Sequence, residues 1–469
     1  MLENTTVSSL VDIDRLLCDR ITSAGAPVGG LPRTLDTFKP LHLGLDPTIH
    51  MCHAACNGTH DNLADGAIGW VQDNKHDVYS IMALLWKSHG FFCRGTICYR
   101  VRNKEGVEYA LKDCWVEESK KMHEPTVLRM FKGIPNVVEL IDDWDVYYEG
   151  QPDCTARIRK ENNQDQRDDT AFCNRLHRRL LLSPCGEPLS QFNSRKELIT
   201  AFRQFVIAHR AMIERRVLHG DLSPNNFVIY EGTGYFIDLD HAAILPVDTT
   251  STYSPGTGTL PYISIRILER IMKMTLLDTN TNLGDIDPGK DVAPANDVRR
   301  LIEHTPSDDL ESLFYIFFEF VTKYGGPRGK LSPSWTRDSL PWASAYEALG
   351  KADLRGLLRT CCFAKLGAVM SGTFMVKMTS DYFAAFRPLV QQWQTLVCLA
   401  NKPDETERIE TTHEKVLEIL TAFIDTYVEA APTTNPSAGS ASIDHPPIPE
   451  AGPSKPPLRR STRNVKKSR

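Results

Sequence analysis

Three polar residues that could act on a phosphate group follow one another near the middle of the chain, in HGDLSPNNFVIY and YFIDLDHA. Asp221 and Asn226 precede the apolar run FVIY, and Asp238 comes 12 residues after Asn226, behind the apolar run YFI. Phosphoryl transfer needs a carboxylate near the attacking hydroxyl and two oxygen ligands for the magnesium that bridges the phosphates. The spacing predicts that Asp221 orients the hydroxyl and accepts its proton, while Asn226 and Asp238 hold Mg²⁺. We expect the two apolar runs to pair as strands and give these groups a rigid base.

The composition is that of an ordinary globular protein, with 469 residues of which 41% are hydrophobic and 24% charged. No apolar run approaches the roughly 18 residues that a membrane span needs. The first residues lack the basic start and long apolar core of a secretory signal. The 12 cysteines have no paired spacing, which is typical of free thiols in a reducing compartment. We therefore expect an intracellular protein, nuclear or cytoplasmic, without a membrane partner.

Charge is unevenly distributed along the chain. The formal net charge is −5, yet residues 431–469 carry seven Lys or Arg and two Asp or Glu. The remainder is therefore acidic, and we expect no direct nucleic-acid binding by the folded body. The tail is rich in proline and small polar residues, which predicts disorder. Its basic end, RRSTRNVKKSR, favours binding to an import receptor or another anionic partner, with a merely solubilising terminus as the alternative.

The apolar periodicity predicts a sheet-rich half followed by a helical half. Alternation begins near Trp86, and TICYRV and VEYALK predict a hairpin, with another buried strand at Arg178–Ser183. After Pro184, helical spacing predicts a helix with an apolar face from Ile199 to Ile213. Further helices are predicted around Asp309–Tyr324, Trp342–Leu349, Ala352–Leu358, Tyr382–Leu399 and Thr412–Tyr427. Residues 1–84 predict little beyond a short amphipathic helix near Val7–Arg20.

A short cluster of soft ligands, Cys52, His53, Cys56 and His60, lies in the N-terminal region. Four such ligands could hold zinc. The cluster has no distant second pair, so ordinary loop or helix residues are the favoured interpretation.

Several motifs in the right order resemble the protein-kinase superfamily, and within it the fungal-type protein kinases, over roughly residues 88–399. HGDLSPNN resembles the catalytic loop, IDLD the metal loop, and GTGTLPYIS the end of an activation segment. YALKDCW resembles the strand that carries the phosphate-binding lysine, and DDLESLFYIF the buried helix that anchors the catalytic loop through Asp309. The resemblance implies an α+β, bilobal protein-kinase-like fold, divided into an N-terminal extension (1–84), a small β-rich N-lobe (85–182), a larger α-helical C-lobe (183–430) and a disordered C-terminal tail (431–469).

The resemblance also implies ATP and Mg²⁺ as cofactors and assigns the site residues. The catalytic residues would be Asp221, Lys112 and its ion-pair partner Glu124, for which Glu117 and Glu118 are competitors. The metal ligands would be Asn226 and Asp238. The nucleotide would contact Gly90, Gly95, Ile97, Ala110, Lys112 and, as a ribose contact, Glu187.

The sequence departs from the family pattern at five positions. Gly220, Ser223, Asp240, Phe92 and Arg266 stand where the family commonly has arginine, lysine, glycine, glycine and glutamate. Gly220 removes the cation that would anchor a phosphorylated activation loop. We expect Asp240 to turn outward after the metal loop, with a second metal ligand as the alternative, since residues two apart in an extended segment point the same way.

Three functions fit these motifs. The first is a Ser/Thr protein kinase with an unknown protein substrate, which GTGTLPYIS favours because such a segment forms a platform for a peptide. The second is a pseudokinase that binds and scaffolds without turnover, against which the intact charged set is evidence. The third is a small-molecule phosphotransferase of the aminoglycoside or choline kinase type, whose catalytic loops also contain HGDL.

Overall fold

The computed structural model describes residues 46, 48–52, 63–88, 94–161, 173–254, 258–280, 302–340, 342 and 354–429. The described residues up to Tyr427 belong to one compact unit, and a second unit begins at Val428. Some predictions lie outside the described residues: the helix near Val7–Arg20, His53, Cys56 and His60 of the cysteine–histidine cluster, Gly90, Phe92, most of the helix after Trp342, and the tail 431–469.

The strands that the structure describes are, in chain order, β1 (Ile49–Met51), β2 (Gly69–Gln72), β3 (Val78–Lys87), β4 (Ile97–Arg102), β5 (Glu108–Glu117), β6 (Glu139–Asp145), β7 (Tyr147–Tyr148), β8 (Gln151–Pro152), β9 (Arg175–Ser183), β10 (Glu187–Pro188), β11 (Val217–Leu218), β12 (Phe227–Tyr230), β13 (Thr233–Phe236), β14 (Ala243–Ile244), β15 (Thr252–Ser254) and β16 (Ile302–His304). Seven of them form one antiparallel sheet in the order β1-β2-β3-β4-β5-β9-β6. The described helices are α1 (His123–Met130), α2 (Thr155–Glu161), α3 (Arg195–Glu214), α4 (Ile265–Asn280), α5 (Pro306–Lys323), α6 (Leu354–Met370), α7 (Phe374–Met378), α8 (Arg387–Ala400) and α9 (His413–Thr426).

Strand β5 shows how the main sheet presents two different faces. Side chains alternate along a strand, so Leu111 packs into a small cluster on one face while Cys114 joins the main core on the other. Lys112 lies between them in sequence and shares the face of Cys114. Its charge is thereby directed toward the helical part of the molecule.

Helix α5 is the most deeply buried helical segment, with every residue from Asp308 to Thr322 buried. Thr305 caps its start through a reciprocal pair of hydrogen bonds with Asp308, and Pro306 occupies the first turn, where its missing N–H costs nothing. The helix is apolar on nearly all sides, as expected for a helix enclosed by others. It therefore forms a rigid centre for the helical part of the molecule.

The sequence predictions agree with much of this architecture. The β4–β5 hairpin, the β12–β13 pairing and the helices at α3, α5 and α9 are confirmed. The fold is mixed, with the large sheet in the N-terminal part and helices in the C-terminal part. Strands β1, β2 and most of β3 come from residues before position 85, where the sequence predicted no strand. No helix in the described ranges is both long enough and apolar enough to cross a membrane.

Candidate functional site

Lys112 lies on the inner face of β5 and pairs with Glu124 from α1. Its Nζ atom is 2.8 Å from Glu124 Oε1 and 2.9 Å from Oε2, and both side chains are buried. Burial alone would lower the pKa of Lys112, but the carboxylates of Asp238 and Glu124 raise it above its ordinary value. Pro125 is tolerated beside Glu124 because it lies in the first turn of α1, where backbone N–H groups have no partner within the helix.

Glu117 and Glu118, the two alternative partners of Lys112, pair with other residues. Glu117 forms an ion pair with Lys120 at 3.3 Å, and Glu118 accepts a hydrogen bond from Asn174 Nδ2 at 3.0 Å. The structure thus pairs Lys112 with the acid on the helix and leaves the two acids at the end of β5 to local partners.

Asp238 follows β13 and reaches the same ammonium group. The distance from Lys112 Nζ to Asp238 Oδ1 is 2.6 Å. The backbone of Asp238 has a φ of +62°, in the left-handed region that Asp tolerates better than most residues. Burial would raise the pKa of Asp238, but Lys112, and more weakly Arg94, hold it below its ordinary value. The Asp238 side chain is 40% exposed, so it is the open member of a group in which Lys112 is 6% exposed.

Asn226 ends a short 3₁₀ turn, Pro224–Asn226, which forms the end of HGDLSPNN directly before β12. Its Oδ1 atom accepts hydrogen bonds from the backbone N–H of Ser223 at 2.7 Å and from the Ser223 hydroxyl at 2.6 Å. Its backbone carbonyl accepts from the N–H of Ile237 at 2.8 Å. This last bond extends the β12–β13 ladder by one step and brings the backbones of the two predicted metal ligands, Asn226 and Asp238, alongside each other.

Asp221 does not contact the lysine. Its Oδ1 atom accepts a hydrogen bond from the Thr259 hydroxyl at 2.7 Å. Thr259 belongs to GTGTLPYIS, so the predicted catalytic base touches the segment that resembles a substrate platform. The two groups come from distant parts of the chain, and only the fold brings them together.

Asp309 at the start of α5 holds the backbone of the catalytic loop. One oxygen, Oδ2, accepts from the N–H of Gly220 at 3.1 Å and from His209 Nε2 at 3.0 Å. The other, Oδ1, accepts from His304 Nε2 at 3.0 Å. Burial would raise the pKa of Asp309, but His304 and His209 hold it well below its ordinary value. The predicted contact between the buried helix and the loop is present, and two histidines that the sequence did not indicate share it.

The hydrogen-bonded chain extends from Asp309 to helix α9. His209 Nδ1 is 2.8 Å from Nε2 of His413 at the start of that helix. Burial, and then the nearby His209, lower the pKa of His413 to about 3, so its ring is neutral near pH 7. Since Asp309 is ionised and can only accept, His209 donates from Nε2. We call His209, His304, Asp309 and His413 the histidine cluster.

His219 precedes this loop and is 1% exposed. Its ring packs beside Phe236, with 5.6 Å between ring centroids, and neither ring nitrogen has a hydrogen-bond partner among the described residues. Burial lowers the pKa of His219. The contact of His219 with the rest of the protein is therefore packing.

Asp240 turns inward, which corrects the expectation that it points to solvent. Its side chain is 7% exposed, lies 3.8 Å from Lys112 Nζ and forms an ion pair with Arg94. Its carboxylate lies within 4.8 Å of those of Asp238 and Glu124. The left-handed backbone in this segment is at Asp238, two residues before Asp240. We call these five residues (Arg94, Lys112, Glu124, Asp238 and Asp240) the charged cluster.

The strand register corrects one predicted nucleotide contact. Ile97 lies opposite Asp113 and packs on the outer face of the sheet, whereas Cys98 lies opposite Lys112 on the inner face. A change of one residue in register reverses the face on which a side chain lies. Ala110 shares the inner face and packs against the main core, and its contact with a nucleotide stays a prediction. Burial raises the pKa of Cys98 to about 12, so its thiol is neutral.

Gly95 and Glu187 lie at two edges of this region. Gly95 has a φ of +56°, which favours glycine, and a Cβ atom there would lie 3.4 Å from the Trp115 ring. Glu187 is 55% exposed and forms an ion pair with Arg100, which lies opposite Ala110 in the sheet. The ribose contact of Glu187 stays a prediction.

The donor groups fit a hard divalent cation. Carboxylate and amide oxygens are the ligands that Mg²⁺ prefers, and Asp238 and Asn226 supply them just beyond the neighbouring ends of β13 and β12. Because Lys112 already engages Asp238, an added cation would share that carboxylate with the ammonium group. The chemistry of the residues present is therefore compatible with the cofactors that were predicted.

Comparison with known proteins agrees with this geometry. A family model for fungal protein kinases matches residues 35–321, more than half of the chain. A search of curated proteins returned no match. The matched range includes the whole charged cluster together with Asp221, Asn226 and Asp309. The chain belongs to the fungal protein kinase family.

Proposed function

We propose that the protein is an ATP-dependent protein kinase with a bilobal kinase fold, which transfers the γ-phosphate of Mg-ATP to Ser or Thr hydroxyls of a protein substrate. The observation that carries this proposal is the position of Lys112, with its Nζ atom 2.8 Å from Glu124 and 2.6 Å from Asp238. A buried cation fixed between two acids from separate elements is suited to orienting phosphates.

Each residue has a distinct role in the proposed reaction. Lys112 contacts the phosphates, while Asp238 and Asn226 hold Mg²⁺, which when bound neutralises the charge that develops on the phosphate oxygens. Asp221 orients the acceptor hydroxyl and takes up its proton.

A polypeptide acceptor is supported by the anchoring of residues 259–263 in GTGTLPYIS. Thr259 donates to Asp221, the Tyr262 hydroxyl donates to Glu319 at 2.6 Å, and Lys365 Nζ donates to the carbonyl of Ile263 at 2.5 Å. A segment held at three points beside the predicted base provides a fixed surface for an extended peptide. A small-molecule phosphotransferase has no need of such a surface.

The test is a phosphorylation assay of the purified full chain with Mg-ATP and Ser-, Thr- and Tyr-containing peptide libraries. Phosphate on Ser or Thr, located by mass spectrometry, is the expected result. ATP binding without transfer to any acceptor would favour the pseudokinase. Transfer to an aminoglycoside or choline, with none to peptides, would favour the small-molecule alternative.

A further inference from the structure

Arg94 lies at the edge of the charged cluster, directly before Gly95 and β4. Its backbone carbonyl accepts a hydrogen bond from the N–H of Trp115 at 2.8 Å. Trp115 is three residues beyond Lys112 on β5, so the backbone of Arg94 is fixed to the strand that carries the lysine. Its side chain therefore starts from a defined position.

The guanidinium of Arg94 is held by Asp240. The two form an ion pair, and the Asp240 side chain is 7% exposed. Arg94 also acts on Asp238, since it contributes after Lys112 to lowering the pKa of that carboxyl against the effect of burial. Arg94 is thus electrostatically part of the group that the proposed function assigns to phosphates and metal.

The charges explain why a second cation is needed. Lys112 lies within 4.0 Å of three carboxylates, those of Glu124, Asp238 and Asp240. One ammonium group cannot compensate three acids and also attract a polyphosphate. Arg94 compensates Asp240 and leaves Lys112 to the other two.

Arg94 retains donors for a ligand. A guanidinium has five N–H donors in a planar fork that matches phosphate oxygens. Asp240 accepts only some of them, and the described residues place no other acid within ion-pair distance of Arg94. Its side chain is 34% exposed. Ser223 stands where protein kinases commonly have a lysine for the γ-phosphate, so the catalytic loop supplies no cation of its own.

We infer that Arg94 is a second phosphate-binding cation of this site, oriented by Asp240, and that its ligand is the polyphosphate of a nucleoside triphosphate. This inference rests on the proposed function, because it assumes that the charged cluster binds a nucleotide. Asp240 is a positioning residue in this arrangement, since it acts through Arg94.

The experiment measures the affinity of the purified chain for Mg-ATP and for adenosine by calorimetry. Arg94→Ala should weaken Mg-ATP binding by about tenfold or more and leave adenosine binding within about twofold, because adenosine lacks the phosphates. Arg94→Lys should fall between. Arg102→Ala is the matched control: Arg102 is 33% exposed and ion-paired with Glu108 at 2.6 Å, but lies outside the cluster. It should change neither affinity.

Asp240→Asn should weaken Mg-ATP binding less than Arg94→Ala does. The double variant should be no weaker than Arg94→Ala alone, since a positioning residue has no effect once its partner is gone. Additive losses would overturn the role of Asp240 as a positioning residue and favour direct metal binding by its carboxylate.

Two outcomes would overturn the role of Arg94. Unchanged or tighter Mg-ATP binding by both Arg94→Ala and Arg94→Lys would mean that the ion pair between Arg94 and Asp240 only stabilises the fold. An equal loss of adenosine and Mg-ATP would indicate a distorted pocket. Failure of the proposed function would give a different result: the wild-type protein would bind Mg-ATP but phosphorylate no acceptor.

Discussion

The charged cluster and the histidine cluster lie near the catalytic motif, but they differ in chemistry. The charged cluster is built from Lys, Arg and three acids, and two of its members, Arg94 and Asp238, are 34% and 40% exposed. The histidine cluster has one acid and three imidazoles, and none of its members is more than 8% exposed. The first is open to a ligand, and the second is enclosed.

The charged cluster and the histidine cluster therefore respond differently to pH. Lys and Arg keep their charge across the physiological pH range, so the charged cluster presents a constant field to a ligand. In the histidine cluster, burial would lower the pKa of His304, but Asp309 raises it above its ordinary value, and the same carboxylate accepts a hydrogen bond from the backbone of Gly220. We therefore expect a change of pH to affect the support of the catalytic loop rather than the charges of the phosphate site.

The largest effect is expected at Asp221, which lies outside both clusters. Asp221→Asn should reduce phosphoryl transfer by about 10²–10⁴-fold, because the amide cannot accept the hydroxyl proton. ATP affinity should change little, since Asp221 contacts Thr259 and not Lys112. Steady-state rates and calorimetry on one preparation check both parts. Transfer at the wild-type rate would remove Asp221 from the mechanism.

The Asp309→Asn variant tests how much the histidine cluster contributes to stability. The substitution removes the charge opposite His304 and His209 and puts an amide donor beside ring nitrogens that donate. Breaking a buried charged group from its partners typically costs about 3–5 kcal/mol of unfolding free energy. Urea unfolding measures it, with Asp381→Asn as a control because Asp381 is fully exposed. Equal unfolding midpoints for the two variants would contradict a supporting role for the histidine cluster.

The sequence predicted the site residues that lie in short motifs. Lys112, Asp221, Asn226 and Asp238 each stand next to a recognisable apolar run, and Glu124 opens a helical segment at a typical distance. His209, His304 and His413 carry no local signal, because they are about 100 residues apart. They meet only through the packing of α3 and α9 with β16 and the start of α5.

Sequence spacing also failed where one residue of strand register decides the face. Ile97 lies opposite Asp113, whereas its neighbour Cys98 lies opposite Lys112. Asp240 was misplaced for a related reason. Its direction depends on the backbone of Asp238 and on Arg94, which lies 146 residues earlier in the chain.

The His304→Gln variant tests how the contribution of the histidine cluster to stability depends on pH. Burial lowers the pKa of His304, but Asp309, and then Asp308, raise it above the ordinary 6.5, with Arg266 opposing them. A raised folded-state pKa contributes stability that is fully present below pH 6.5 and is lost as the pH rises through the folded-state value. The variant should therefore lose more unfolding free energy at pH 6 than at pH 9.

Chemical unfolding at the two pH values measures this difference. His76→Asn, at an exposed turn with a φ of +69°, is the control, since asparagine tolerates that backbone conformation. A loss that is the same at both pH values would mean that His304 acts by packing alone.

The smallest effect is expected from removing phosphate. Gly220 offers no side chain to pair with a phosphorylated activation segment, and the His304 ring lies 3.8 Å from where a Cβ atom of residue 220 would be. His304 and Asp309 already fix the loop, so phosphatase treatment should change the transfer rate by less than about twofold. The alternative anchor is Arg266, but it forms an ion pair with Asp308 and donates to the carbonyl of Glu303 at 3.0 Å. A large fall in the transfer rate after phosphatase treatment, absent from an Arg266→Gln variant, would show that Arg266 leaves these partners to bind a phosphate. The histidine cluster would then not be sufficient to hold the loop.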